Sequence, residues 1–301
     1  MTTVADAEAF YREMTTRNHG FVSTEAQERI RTAQILIAGC GSTGGAAVEP
    51  LARLGFQHFD LADNGCFELN NLNRQSASHR DLGRNKALVA RERILDINPY
   101  AKAAAAPTGI TEDNVEQLVK ACDLVIDGVD VTGKPGWQAK LLLHQSAAQA
   151  RKPVLTGYDM AGTQYIRYYD YRSGGTALDG RIDDQRLRAL TTWALLARAV
   201  PTRRVPLEML REARAHLGEA DYSVPQLVYA SSLFGALASR MAVEIINGGR
   251  VRREVAVDVH DAVRTRADRI GTAVRQGREL MAMTGELIRL RTGSGRANDA
   301  R

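Results

Sequence analysis

The chain has 301 residues, 44% hydrophobic and 25% charged, the balance of a globular protein, which excludes a disordered, collagen-like or disulfide-dense one. Cys40, Cys66 and Cys122 form no CxxC pair, no apolar run approaches membrane-spanning length and the start has no signal-like apolar region, so a reduced, soluble, cytoplasmic protein is expected. The net charge of +5 equals the excess of twelve arginines over seven acids between Arg250 and Arg301, so the basicity belongs to a solvated tail without a nucleic-acid reader motif.

In chain order, Thr24 with Gln27 resembles a capping box opening a short helix that ends near Arg31. Residues 34–38 (QILIA) read as a strand, followed by a glycine-rich turn and a helix to Leu54 with Gly55 as its stop. Pro50 falls inside that helix and predicts a bend, because it removes a backbone hydrogen bond at a cost of about 3 kcal/mol. Strands at 58–62, 102–106, 124–127 and 154–157 then alternate with helices at 86–97, 111–121 and 135–150. Strands separated by helices are not hairpin neighbours, so the fold class is α/β: a doubly wound, mostly parallel sheet with ligands at the carboxyl ends of its strands. Residues 164–171 alternate as an added strand, and 172–225 form a helical crossover insertion with segments at 184–200 and 207–217. A long helix at 225–247, a last strand at 254–259 and an amphipathic tail complete the chain. The units are therefore an N-terminal arm (1–33), a nucleotide-binding core (34–171), the insertion (172–225), a helix and strand (226–262) and the basic tail (263–301). Ser231, Gly235, Ala238 and Ala242 share one face of the long helix and predict close approach of another helix, read as that of a second copy in a two-fold dimer.

Gly39, Gly41 and Gly44 form GxGxxG between a strand and a helix, with Asp63 at the end of the next strand, about 20 residues on. Glycines permit a tight turn and close approach to phosphate, the helix start offers unpaired N–H groups, and the carboxylate suits a ribose hydroxyl pair. On these residues alone, a nicotinamide dehydrogenase and an adenine-nucleotide enzyme stand level.

The segment Leu61-Ala62-Asp63-Asn64-Gly65-Cys66-Phe67-Glu68-Leu69-Asn70-Asn71-Leu72-Asn73-Arg74-Gln75, followed by Lys86, separates the two. It resembles the signature of the ThiF, MoeB and ubiquitin-activating enzyme superfamily, in which an aspartate ends the strand, Asn-Leu-x-Arg-Gln follows, and a lysine and a later aspartate complete the set. Asn71, Arg74, Gln75, Lys86 and Asp130 fall at those places, and the resemblance runs from about Arg17 to His260, weakest between Arg172 and Pro225. It implies a Rossmann-like sheet and adenylation of a carboxylate by ATP with Mg²⁺. Arg74 and Lys86 would meet phosphate charge, Asn71 and Gln75 would add neutral donors, Asp63 would bind ribose and Asp130 would hold the metal. In that family an arginine ahead of the first strand reaches across a dimer interface to the partner's phosphates, for which Arg17 is the candidate here and Arg12 the second. The sequence departs from the pattern at Val131, where relatives often carry Asn.

Ubiquitin-activating relatives carry a thioester cysteine, and many bacterial relatives two zinc-binding CxxC pairs; this sequence shows neither, and each of its cysteines reads as a small buried thiol. Gly128 to Lys134 (GVDVTGK) mimics a phosphate loop, but Pro135 stands where that loop needs Ser or Thr. Leu187, Leu190, Trp193 and Leu196 along one side of the insertion read as packing rather than a ligand box. The expectation is a homodimeric adenylyltransferase that makes an acyl-adenylate and pyrophosphate without a cysteine relay or zinc. Its carboxylate would come from a peptide, a ubiquitin-like carrier, a small molecule or, less favoured, a tRNA-linked amino acid, and a specialised biosynthetic pathway suits it as well as sulfur-carrier activation. A non-catalytic nucleotide-binding scaffold and an NAD-dependent oxidoreductase are the alternatives.

Overall fold

The computed structural model describes residues 6–216 and 224–296, with side chains described as far as Met283. Helices α1 (Ala7–Met14) and α2 (Thr24–Thr32) lead into β1 (Gln34–Ala38), α3 (Ser42–Leu54), β2 (His58–Ala62), α4 (Lys86–Ile97), β3 (Lys102–Ala106), α5 (Val115–Ala121), β4 (Leu124–Asp127), α6 (Lys134–Gln149), β5 (Val154–Met160) and β6 (Thr163–Tyr169). The insertion contributes α7 (Asp184–Ala189), α8 (Thr192–Ala199) and α9 (Leu207–Ala215), after which come α10 (Val228–Ile246), β7 (Glu254–Asp258), α11 (Val259–Val263) and α12 (Arg266–Arg296). No helix among the described residues is long and apolar enough to cross a membrane.

One seven-stranded sheet runs in the order β3-β2-β1-β4-β5-β6-β7. Its first five strands are parallel, while β6 and β7 are antiparallel additions. Chain order reverses between β1 and β4, which stay paired through Ala38 and Asp127, so the connections that follow them leave toward opposite faces of the sheet and open a crevice at the carboxyl edge. Alternation along the strands divides two cores: Ile35 and Ile37 of β1 pack with α3, α4 and α10, whereas Leu36 and Ala38 join Trp137 and Leu141 of α6 on the other face.

Several boundaries differ from the sequence reading, each for a local reason. Ser23, not Thr24, caps α2, its hydroxyl accepting from Ala26 N at 3.2 Å. Residues 111–114 stay out of α5 because Thr111 N donates to Asn114 Oδ1 and Asn114 Nδ2 to Gly109 O, closing a turn. The segment 184–200 divides at Leu190, and Thr191 caps a new helix by accepting from Ala194 N at 3.3 Å. The strand expected to stop at Gly157 continues to Met160 and turns through Ala161, at φ 51°, into β6. α3 runs on as one helix through Pro50.

The small-residue face of α10 finds its helix within the chain rather than in a partner. A Cβ on Gly235 would stand 2.2 Å from Ala46 O and 3.4 Å from Pro50 Cγ of α3, and Ser231, Gly235, Ala238 and Ala242 are all buried. The periodicity fixes that some backbone approaches closely; it carries no information on whose backbone. The tail is likewise more than a solvated surface: α12 packs on α9, where Glu279 pairs with Arg214 and Arg211.

Candidate active site

β1 ends at Ala38, and Gly39 turns the chain at φ +84° with its N–H on Ala62 O at 2.7 Å. A Cβ there would lie 2.4 Å from Gly128 O, so the turn is wedged between the ends of β2 and β4. Gly44 answers the same crowding from α3, where an added Cβ would stand 1.9 Å from Gly39 O. Gly41 precedes α3, whose start has no side-chain cap. Its unpaired N–H groups and positive dipole end thus face the crevice, an arrangement suited to an anion.

Asp63 is pinned at both oxygens: Oδ2 accepts from Cys40 N at 2.6 Å and Oδ1 from Gly65 N at 2.7 Å. Burial pushes this carboxyl up, against the pull of the two amides and of nearby Lys86. Lys86 opens α4 behind Asn85, which caps the helix through Oδ1 and ties Nδ2 to Asp63 O at 2.8 Å. Arg74 donates through Nη1 to Asn70 O and Asn73 Oδ1, both at 2.8 Å, and through Nε to Gln226 just ahead of α10. Its carbonyl accepts from Ser231 Oγ at 3.1 Å. Gln75 lies against Gly41, and its Oε1 is buried without a hydrogen-bond partner. Asp130 is exposed at the crevice, where Oδ1 accepts from Thr132 N at 2.9 Å.

A single cavity of about 530 Å³, of the size that small-molecule sites occupy, collects Gly39, Gly41, Asp63, Arg74, Gln75, Lys86 and Asp130. Gly44 serves it from behind through helix packing. Asn71 and Arg17 are not among its lining residues. The Asn71 side chain is turned into its own loop, where Oδ1 accepts from Glu68 N at 3.1 Å and Nδ2 donates to Asn70 Oδ1 at 2.6 Å; it shapes the loop that carries Arg74. Arg17 is exposed in the turn Thr16–Asn18. Lys134 of the false phosphate loop donates to the carbonyls of Leu187 and Leu190. Trp193 and Leu196, read as packing, line the cavity, while Leu187 is core. Cys40 and Cys122 are buried but Cys66 is exposed, because it follows Gly65 in the irregular stretch outside the sheet rather than in a strand.

The spacing of motifs did not disclose three further groups. Asp159 lines the cavity from the end of β5; its Oδ2 accepts from Ser42 Oγ at 3.0 Å and its Oδ1 is buried and unpartnered. Gln226 holds Arg74. Behind the Gly128–Asp130 turn, Asp127 takes Lys140, His144 Nε2 (3.0 Å) and Thr156 Oγ1 (2.8 Å) on Oδ2 and Val129 N (3.1 Å) on Oδ1. Lys140 and these donors hold the Asp127 carboxyl well below the usual carboxylate range despite full burial, and burial pushes His144 down, toward neutrality. Nε2 therefore carries the His144 proton, and Nδ1 accepts from the Tyr171 hydroxyl at 2.8 Å.

The model of the ThiF family matches residues 15–247. The chain belongs to the ThiF family. A sulfur carrier protein adenylyltransferase of Thermus thermophilus is 29% identical over 137 residues, which make up 45% of this chain and 49% of that protein. Among solved structures, PaaA superposes with a TM-score of 0.60 at 18% identity, covering 87% of this chain and 83% of PaaA. The Escherichia coli tRNA N6-threonylcarbamoyladenosine dehydratase TcdA, solved in complex with ATP, gives 0.56 at 22%, covering 79% and 95%. These structural likenesses establish the fold. The match spans 24%, 39% and 49% of the length of three curated relatives.

Proposed function

We propose that this ThiF-family chain is an ATP-dependent adenylyltransferase that activates a carboxylate as an acyl-adenylate. One observation carries the reading: the glycine turn, the uncapped start of α3, the doubly pinned Asp63 and the cations Arg74 and Lys86 all line one cavity. Asp63, fixed by two amides, has lone pairs left for the ribose hydroxyls. A carboxylate oxygen attacks the α-phosphorus, the bond to the bridging oxygen breaks, and pyrophosphate departs with the electron pair; no proton is transferred. Attack brings anion toward anion, so fixed cations and N–H dipoles where charge gathers lower the barrier. Arg74, braced from α10 by Gln226 and Ser231, is preorganised for that role.

Asp130 presents an exposed carboxylate at the cavity, with Oδ1 already on Thr132 N. Among the described residues no group of three or more His, Cys, Asp or Glu gathers to hold a metal, which fits Mg²⁺ arriving on phosphates and taking a single protein carboxylate. When bound, that ion neutralises charge on the departing pyrophosphate. Burial pushes the thiols of Cys40 and Cys122 up, so neither supplies a ready thiolate for a covalent relay. Cys66, exposed beside the cavity-lining Gly65, is the one thiol left for a relay; the reading proposed is acyl transfer from the adenylate itself, and a thioester found by non-reducing mass spectrometry would refute it. Arg17, outside the cavity of its own chain, would act in a homodimer on the partner's nucleotide; sedimentation as a monomer at micromolar concentration would remove that role.

The reading is tested by calorimetric titration with ATP and Mg²⁺ and, separately, with NAD⁺ and NADH, on wild type and Asp130→Ala. Micromolar ATP binding that weakens in the variant supports it. Binding of NAD(H) alone would assign hydride chemistry, and ATP binding without pyrophosphate exchange on any carboxylate would assign a scaffold. With a cognate carboxylate, Lys86→Ala is expected to lower exchange about 100-fold or more.

A further inference from the structure

The cavity extends beyond the needs of a nucleotide. Beside Asp63, Ile110, Val129 and Val131 offer an apolar surface for a base. The same space is also lined by Trp193 and Leu196 of α8, Val205, and Met209 and Leu210 of α9. This second wall is braced from both sides. Lys134 holds the carbonyls of Leu187 and Leu190 just ahead of α8, Gln276 Nε2 donates to Val205 O at 2.7 Å, and α9 is pinned by the pairs Glu208–Arg264 and Arg214–Glu279.

Three side-chain atoms lining this cavity, Asp159 Oδ1, Gln75 Oε1 and the Tyr158 hydroxyl, are buried without a hydrogen-bond partner, and Asp159 is the one carboxylate among them. Asp159 is fixed through Oδ2 by Ser42, at the start of α3, and the adjacent Thr43 side chain also favours the charged carboxylate, while its buried Oδ1 has no hydrogen bond of ordinary length. The nearby cation Arg74 commits Nε and Nη1 to Gln226, Asn70 and Asn73, and its Nη2 is left for the phosphate role proposed above. An unpaired buried acceptor selects for a donor and against an anion or a hydrocarbon.

We infer that the activated carboxylate belongs to an α-aminoacyl group with an apolar side chain, whose side chain lies on the α8–α9 wall and whose α-nitrogen donates to Asp159 Oδ1. The inference rests on the adenylating reading above. A carboxylate aimed at a phosphate seated on the α3 start lies close to Ser42, and a nitrogen one carbon away is then within reach of the carboxyl that Ser42 holds. That nitrogen is an ammonium in a free amino acid and an amide in the last residue of a peptide; both are donors, and the experiment separates them.

The experiment is ATP–pyrophosphate exchange by the full chain with two sets of probes: the free amino acids, and N-acetylated tetraglycyl peptides ending in Leu, Phe, Gly, Lys or Glu. Leu or Phe is expected to exceed Gly, Lys and Glu in kcat/KM by about tenfold or more in one set, and which set responds identifies the source. Asp159→Leu, which removes the acceptor at similar size, is expected to lower kcat/KM for the best probe about 100-fold with ATP affinity kept within about threefold. Trp193→Glu is expected to erase the Leu and Phe preference, again with ATP affinity retained; Trp193→Ala serves the same end should the charged variant fail to fold. Equal rates for all termini, a preference for Lys or Glu, or no exchange with any apolar probe would overturn the inference. So would a tenfold loss of ATP affinity in Asp159→Leu, which would assign that carboxyl to the nucleotide or its metal. Failure of the wild type to bind ATP is a separate result and defeats the adenylating reading beneath.

Discussion

Replacing Gly44 by Ala tests the geometry of the cradle directly. The added methyl carbon would stand 1.9 Å from Gly39 O, 3.2 Å from Gly39 C and 3.3 Å from Ile37 Cγ2. Restoring an ordinary contact of ~3.5 Å requires the α3 start or the turn to move by about 1.5 Å. Neither side is free, because Gly39 N is bonded to Ala62 O at 2.7 Å and Gly128 N to Ala38 O at 2.8 Å. Forced repacking costs about 1–3 kcal/mol or more, against a gain of about 0.5–1 kcal/mol for Ala over Gly in a helix. With both sides of the contact held, the cost falls at the upper end of that range, and a net loss of about 2 kcal/mol corresponds to a Tm lower by about 4–8 °C. Gly133→Ala is the control: it lines the same cavity, has extended backbone and meets nothing closer than Pro135 Cδ at 3.7 Å, so its Tm should stay within about 2 °C. Differential scanning calorimetry decides. A Gly44→Ala protein melting within 2 °C of wild type, or a control that falls as far, would refute the close-packed cradle.

Other parts of the structure carry their own tests. Lys140→Met leaves the fully buried Asp127 without its cation and should cost about 3–5 kcal/mol by urea unfolding, with part recovered in the double variant with Asp127→Asn; an unchanged midpoint would contradict the buried ion pair. Burial pushes the Asp159 carboxyl up to about 6, so its contribution to stability is full below the unfolded value near 4 and is lost as pH rises through 6. Wild type should lose on the order of 3 kcal/mol between pH 4 and pH 7 relative to Asp159→Asn, and parallel stability curves for the two proteins would show that the carboxyl is not buried as described. Lys134→Ala removes the clamp on Leu187 and Leu190 and should leave ATP affinity unchanged while lowering protection of α7 and α8 in hydrogen exchange; a tenfold loss of ATP affinity would restore the phosphate-loop reading.

How far the sequence disclosed this arrangement depended on the range of each signal. The strand, glycine turn, helix and Asp63 lie within one continuous stretch whose periods and turn chemistry are local, and the mostly parallel sheet follows from the helices that separate its strands. Asp159 escaped because the apolar strand pattern starting at Val154 reads as ending at Gly157. Its continuation depends on a hairpin in which Ala161 takes a left-handed φ of 51°, which an alanine does not announce. Asn85 and Gln226 act through hydrogen bonds to Asp63 O and to Arg74, the latter 152 residues away, and no spacing rule links such pairs. The small-residue face of α10 was legible as a surface of close approach, but whether α3 or another copy meets it is a tertiary fact. The exposure of Cys66 was misread because a thiol's apolar character says where it prefers to be, not where an irregular loop leaves it.

The anchoring of α8 and α9 has a further consequence for how such a chain changes over time. Their supports are Lys134 at the head of α6 and the elements α11 and α12, none of which belongs to the glycine turn or to the loop that bears Arg74. A substitution on this wall alters the shape offered to an incoming molecule while the machinery that handles phosphate stays in register. Descendants of one chain can thus diverge in what they accept without first losing how they react, and residues 172–225 are where such a history would be written.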